Sequence, residues 1–218
     1  MYAAFTPIDD VASKVASKNV VTLGLDNWKS VLTPAASSSQ DPEVWWVFVT
    51  GGNKTCYGQC DKVEKAWNES AMRLATTVSA PHLARLNCDV SPVLCHAWAA
   101  SPPAIWHITR PRPSGAGSKS QIHIVSLNST STTSSEIMDI HAAETWKKQP
   151  PYEGLFHPFD GIFAQLGVSE VVGYVLWGFA MIPSWMFMLI ISIGSRTFLG
   201  GRAANPAPRA APAPAAAT

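Results

Sequence analysis

Charge is scarce in this chain of 218 residues: 14% of it is Asp, Glu, Lys or Arg, with 16 basic residues against 15 acidic ones. A formal net charge of +1 gives no electrostatic ground for a nucleic-acid partner, which needs a basic surface. The first stretch, MYAAFTPIDDVASKVASKNV, has no apolar core and does not read as a secretory leader. Cysteine is limited to four residues with no C-x-x-C pair, so the usual zinc spacing is missing, and neither a metal nor a cofactor is expected. The six histidines are scattered through different predicted elements, none in a metalloprotease or triad motif, and read as structural.

The largest absence is local. No charge occurs in the 25 residues from Val171 to Ser195, VVGYVLWGFAMIPSWMFMLIISIGS. At about 1.5 Å per residue this run exceeds the roughly 30 Å of a hydrocarbon core. It predicts a single transmembrane helix, kinked at Pro183. Arg196, Arg202 and Arg209 follow the span, while Glu153, Asp160 and Glu170 precede it, so the positive-inside rule puts the C-terminus in the cytosol. The rest is then lumenal, in keeping with Asn-x-Ser/Thr sequons at Asn53, Asn68 and Asn128 and with cysteines in two local pairs. Translocation then calls for a leader ahead of this sequence or for insertion driven by the span itself; the former is expected.

Five segments follow: an N-terminal extension at 1–18, a domain at 19–148, a juxtamembrane linker at 149–170, the span at 171–195 and a tail at 196–218 whose Ala/Pro-rich part reads as disordered. Within the domain, Asn19–Leu23 reads as a strand and Asp26–Leu32 as a short helix. Val44-Trp45-Trp46-Val47-Phe48-Val49 is a continuous apolar run, as a central strand buried on both faces would be. Val63, Trp67, Ala71, Leu74 and Val78 line one face of a helix beginning near Cys60. Strands at His82–Cys88, Ala104–Ile108 and Gln121–Leu127 follow, the last an edge or half-exposed strand, with a short helix at Val93–Trp98. Thr133-x-x-Glu136 is a capping box opening a helix, with Ile137, Ile140 and Trp146 as candidates for the inner face. The order is βαβαβαββα.

That order, with a cysteine pair at the start of the second helix and proline before the fourth strand, resembles the thioredoxin fold, and in particular a domain of the protein disulfide isomerase family of the endoplasmic reticulum. Four segments carry the resemblance: VVTLGLDNW at the first strand, Cys60-Asp61-Lys62-Val63-Glu64-Lys65-Ala66-Trp67, the pair Leu86-Asn87-Cys88-Asp89 and Leu94-Cys95, and Pro103. It implies an α/β fold, a mixed sheet flanked by helices. It further implies that Cys56 and Cys60 are a redox pair, Cys88 and Cys95 a structural disulfide, and Pro103 a cis-proline beside the active loop.

The motif departs from the family's Trp-Cys-x-x-Cys: one extra residue separates Cys56 from Cys60, and Thr55 stands in place of Trp. On a helix, residues four apart lie about 6 Å apart at Cα, within disulfide reach. Two readings stay open, a thiol–disulfide oxidoreductase in which Cys56 attacks and Cys60 resolves, and a permanent C-x-x-x-C bridge in a domain that works by binding. A glycan at Asn53 would shield Cys56 from large substrates and favours the second. The expected protein is an accessory or chaperone subunit of the endoplasmic reticulum membrane, meeting a membrane-protein complex or secretory clients. Its contacts would be the bilayer, the transmembrane helix and a basic lumenal loop at 110–115. The lumenal thioredoxin domains of the oligosaccharyltransferase complex offer an analogy, although several spans follow those domains.

Overall fold

Alternation within one strand organises the molecule. In the computed structural model, which describes residues 20–33, 42–77, 80–111 and 119–200 (side chains to residue 197), β2 (Glu43–Thr50) is the middle of a five-stranded sheet. The other strands are β1 (Val20–Leu23), β3 (His82–Asn87), β4 (Ala104–Arg110) and β5 (Gln121–Ser126), in the order β1-β3-β2-β4-β5. The β1, β3 and β2 strands run parallel, whereas β4 and β5 are antiparallel to their neighbours. Side chains of a strand point to opposite faces in turn. Trp45, Val47 and Val49 therefore enter one core, and Trp46 and Phe48 the other.

Each face is covered by helices. The first face takes α1 (Trp28–Leu32), which buries Trp28 and Leu32, and α3 (Pro92–Trp98), which buries Val93, Leu94, Cys95, Ala97 and Trp98. The second takes α2 (Asp61–Leu74) and α4 (Ser134–Ala142). Val63, Trp67, Ala71 and Leu74 of α2 are fully buried, and Trp67 stacks on Phe48 with ring centroids 4.9 Å apart. The Thr133 hydroxyl accepts the Glu136 amide while the Glu136 carboxylate accepts the Thr133 amide, so both halves of the capping box form.

Two expectations change. The stretch at 149–170, read as a linker, lies on the domain: Pro151 bridges to His123, the Tyr152 amide donates to the Ile122 carbonyl at 2.7 Å, and Tyr152 and Phe159 pack on the first core. It contains one short helix, α5 (Ile162–Gln165). The helix predicted over Val171–Ser195 is also not continuous. It is divided into α6 (Ser169–Ala180) and α7 (Ser184–Gly200), and no single helix among the described residues is long and apolar enough to cross a membrane; the bent pair reaches that threshold by combined length and composition only. Pro183 marks the break because it lacks an amide to continue α6, while a proline just ahead of a helix start is well tolerated.

The chain divides into two compact units, residues 1–177 and 178–218. In the first, α6 packs on α3 at Gly173, where an added Cβ would lie 2.6 Å from the Val93 carbonyl oxygen and 2.9 Å from the Ala97 Cβ. In the second, α7 exposes Met188, Ile191 and Ile193 by 74%, 68% and 63%. The N-terminal extension, residues 34–41, Val78, loop residues 112–115 and the tail beyond 200 lie outside the described residues.

Candidate functional site

The cysteine loop leaves the C-terminal end of β2. Gly51 to Gln59 wind back on themselves, with the Cys56 and Gly58 amides both donating to the Gly52 carbonyl, and Cys60 takes the N-cap of α2. This brings Cys56 and Cys60 into a disulfide with Cα atoms 5.8 Å apart. Both sulfur-bearing residues are buried in the second core, Cys56 at 7% and Cys60 at 1% exposure. Tyr57, between them, is instead 84% exposed and held at a positive φ of 53°.

Cys88, just past β3, pairs with Cys95 on α3, Cα atoms 5.6 Å apart, in the first core. The two bridges thus lie on opposite faces of the sheet, near the same end. The β4 strand begins there too: Ala104 pairs with Val49, placing Pro103 where β2 enters the loop, and the Pro102–Pro103 peptide is cis.

Between the bridges stands Asp89, a residue with no assigned role in the sequence reading. Its Oδ1 accepts the Thr55 hydroxyl at 2.6 Å and the Thr55 amide at 3.0 Å, and its Oδ2 accepts the Lys54 amide at 3.2 Å. The Asn87 side chain accepts the Asp89 amide at 2.9 Å and so orients the turn. The Thr55 hydroxyl, ahead of the backbone amides, holds the Asp89 carboxyl below the usual carboxylate range against the opposing effect of burial. Beneath the loop, buried Thr50 lies 3.5 Å from Glu64 of α2, which forms a 2.5 Å ion pair with Arg85 of β3.

The sequons differ in setting. Asn53 is exposed on the cysteine loop. Asn128 is exposed, its side-chain oxygen accepting the Thr130 amide and hydroxyl and the Ser131 amide. Asn68 lies on α2, half-buried, and the Ser70 of its sequon is fully buried, donating to the Ala66 carbonyl at 2.7 Å. Arg110, at the start of the basic loop, is engaged within the fold: its guanidinium lies 3.6 Å from the Phe159 ring centroid and donates to the Ser120 hydroxyl.

Histidines scattered in sequence converge in space. His107 of β4 stacks on Trp146 at 3.6 Å, and both His107 and Trp146 lie against His123, while His141 meets Trp46 edge-on. Among the described residues no group of three or more His, Cys, Asp or Glu has the arrangement of a metal site.

A family model described as "tRNA hydrolases-like, Thioredoxin-like domain" matches residues 6–179, most of the chain. The chain belongs to this family. The mixed β-sheet and its flanking helices are those of an α/β thioredoxin-like domain. The fold is similar to that of the J-Trx1 fragment of ERdj5, at 17% identity and a TM-score of 0.39, over 60% of this chain and 53% of that one. The chain thus spans about half the length of that fragment. It is also similar to the first thioredoxin domain of mouse protein disulfide-isomerase A4, at 17% identity and a TM-score of 0.39, over 62% of this chain and 82% of that one. No curated protein matches the chain.

Proposed function

We propose that this protein is a membrane-held thioredoxin-like subunit of the endoplasmic reticulum, its domain lumenal and its C-terminus cytosolic, that works by binding rather than by dithiol exchange. The burial of Cys56 and Cys60 carries this reading: a thiol that attacks clients must be presented, and here the loop presents Tyr57 instead. The exposed sequons at Asn53 and Asn128 and the two disulfides suit an oxidising compartment. The apolar, exposed surface of α7 suits lipid or the helices of a membrane complex. The family's description names a likeness to tRNA hydrolases, but a near-neutral chain offers little of the charge that RNA binding draws on, so the partners proposed are proteins: a membrane complex or secretory clients.

The second reading is a membrane-tethered disulfide oxidoreductase. Cys60 at the N-cap of a 14-residue helix favours it, because unpaired amides there stabilise a nearby thiolate. Reduction potential and trapping separate the two. A Cys56–Cys60 potential below about −300 mV, with nothing trapped after Cys60→Ala, supports the permanent bridge. A potential near about −180 mV with trapped clients makes the protein an enzyme. Digestion of the domain by protease added to sealed microsomes would overturn the lumenal placement.

A further inference from the structure

We propose that Asp89 couples the two disulfides: the Cys88–Cys95 bridge holds it in place, and its carboxylate fastens the Lys54–Thr55 segment so that Cys56 and Cys60 stay joined. The inference rests on the reading of Cys56–Cys60 as a standing bridge and supplies a device that keeps it closed. Asp89 is a positioning residue; it acts through Thr55 on the adjacent Cys56.

Three observations carry it. Asp89 directly follows Cys88, in a turn closed by the Val90 and Ser91 amides donating to the Asn87 carbonyl and then pinned to α3 by the disulfide. Its three bonds to Lys54 and Thr55 cross 34 or 35 residues of sequence, and two of them end on Thr55, the residue before Cys56. The approach is also close: a Cβ on Gly52 would sit 2.6 Å from the Asp89 Oδ2, so a side chain there would push the carboxylate aside. Bonds to an ionised acceptor are about twice as strong as neutral ones, so the clamp is not a trivial contact.

Two effects then favour the disulfide. The clamp holds Thr55 where the bridged loop needs it, an ordering that the opened, dithiol loop does not require. A carboxylate beside Cys56 also disfavours its thiolate. Opening by glutathione breaks the Cys56–Cys60 bond, takes two electrons and two protons from two glutathione molecules, and leaves one glutathione disulfide. Removing the carboxylate, or the bridge that places it, should shift this equilibrium toward the dithiol. Because such coupling is reciprocal, opening Cys56–Cys60 should also ease reduction of Cys88–Cys95.

The test is equilibration of the full chain, in mild detergent, across a series of glutathione to glutathione-disulfide ratios, followed by acid quench, alkylation and mass spectrometry of the cysteine peptides. Asp89→Asn should make Cys56–Cys60 about tenfold easier to reduce, equivalent to about 30 mV. The double variant Cys88→Ala/Cys95→Ala should shift it the same way, and adding Asp89→Asn to that variant should change little more. Should the double variant fail to fold, Gly52→Ala displaces the carboxylate with both bridges intact and should reproduce the Asp89→Asn shift. In the reduced protein, Asp89→Asn should also lower the pH at which Cys56 becomes alkylated. An Asp89→Asn equilibrium within twofold of the parent, or shifts from the two lesions that simply add, would overturn the coupling. A parent pair that opens readily in these buffers would overturn the standing-bridge reading, yet leave the Asp89 shift measurable.

Discussion

His107 makes the stability of this domain depend on acid, and the size of the effect follows from its surroundings. The imidazole is 4% exposed and stacked on Trp146. Burial first, and then the nearby His123, His141 and Lys147, push its pKa from 6.5 down to about 4, against the opposing pull of a backbone hydrogen bond. Between these two values the unfolded chain binds a proton that the folded one refuses. Stability is therefore complete above about pH 6.5 and is lost as the pH falls toward 4. A gap of about 2.5 pH units at about 1.4 kcal/mol each comes to roughly 3.5 kcal/mol, a sizeable share of the 5–15 kcal/mol typical of a whole domain. Phenylalanine at this position would keep the stack and remove the titration. Urea unfolding of the full chain in mild detergent, followed by tryptophan fluorescence, should show the parent losing about 2–3 kcal/mol between pH 7 and 4.5 and His107→Phe losing much less. An equal loss in both proteins would refute the assignment, whatever the stability of the variant at pH 7.

Three further outcomes test the packing. Trp67→Ala, removing a fully buried ring stacked on Phe48, should cost about 3–5 kcal/mol in urea unfolding. Thr133→Ala, which breaks one half of the capping box, should cost about 1 kcal/mol and speed amide exchange mainly in the first turn of α4. Gly173→Val should clash with Val93 and Ala97, costing about 1–3 kcal/mol and opening the chain near residues 165–170 to protease; Gly178→Val should have no such effect, since among the described residues a Cβ there meets nothing within 4 Å beyond its chain neighbours and its own helix backbone.

Much of the fold was legible because burial leaves a periodic trace along the chain. The apolar run of β2, the α2 stripe from Val63 to Leu74 and the Thr133–Glu136 box are each local, and the structure places them as sheet centre, packed helix and capped helix. The cysteines stand in two local pairs, and the resemblance implied both bridges that the structure forms. The site was only half legible. Asp89 sits in the quoted Leu86-Asn87-Cys88-Asp89 segment, but its hold on Thr55 depends on β2 and β3 ending side by side, with Thr50 paired to Asn87. Its position directly after Cys88 was the available signal. The histidines show the same limit: His107 and His123 face each other only because β4 and β5 pair in that register.

By itself, the sequence determined the order of strands and helices, the two cysteine pairs and an uncharged run long enough to matter to a membrane, all of which are properties of neighbours in one dimension. Tertiary structure alone decided that the stretch after residue 149 folds back onto the domain, that the apolar run divides at Pro183, and that a carboxylate stands between the bridges. Hydrophobicity records whether a residue is buried, but not which distant atom it meets. That choice is made when strand register and helix packing bring separate segments within hydrogen-bond reach.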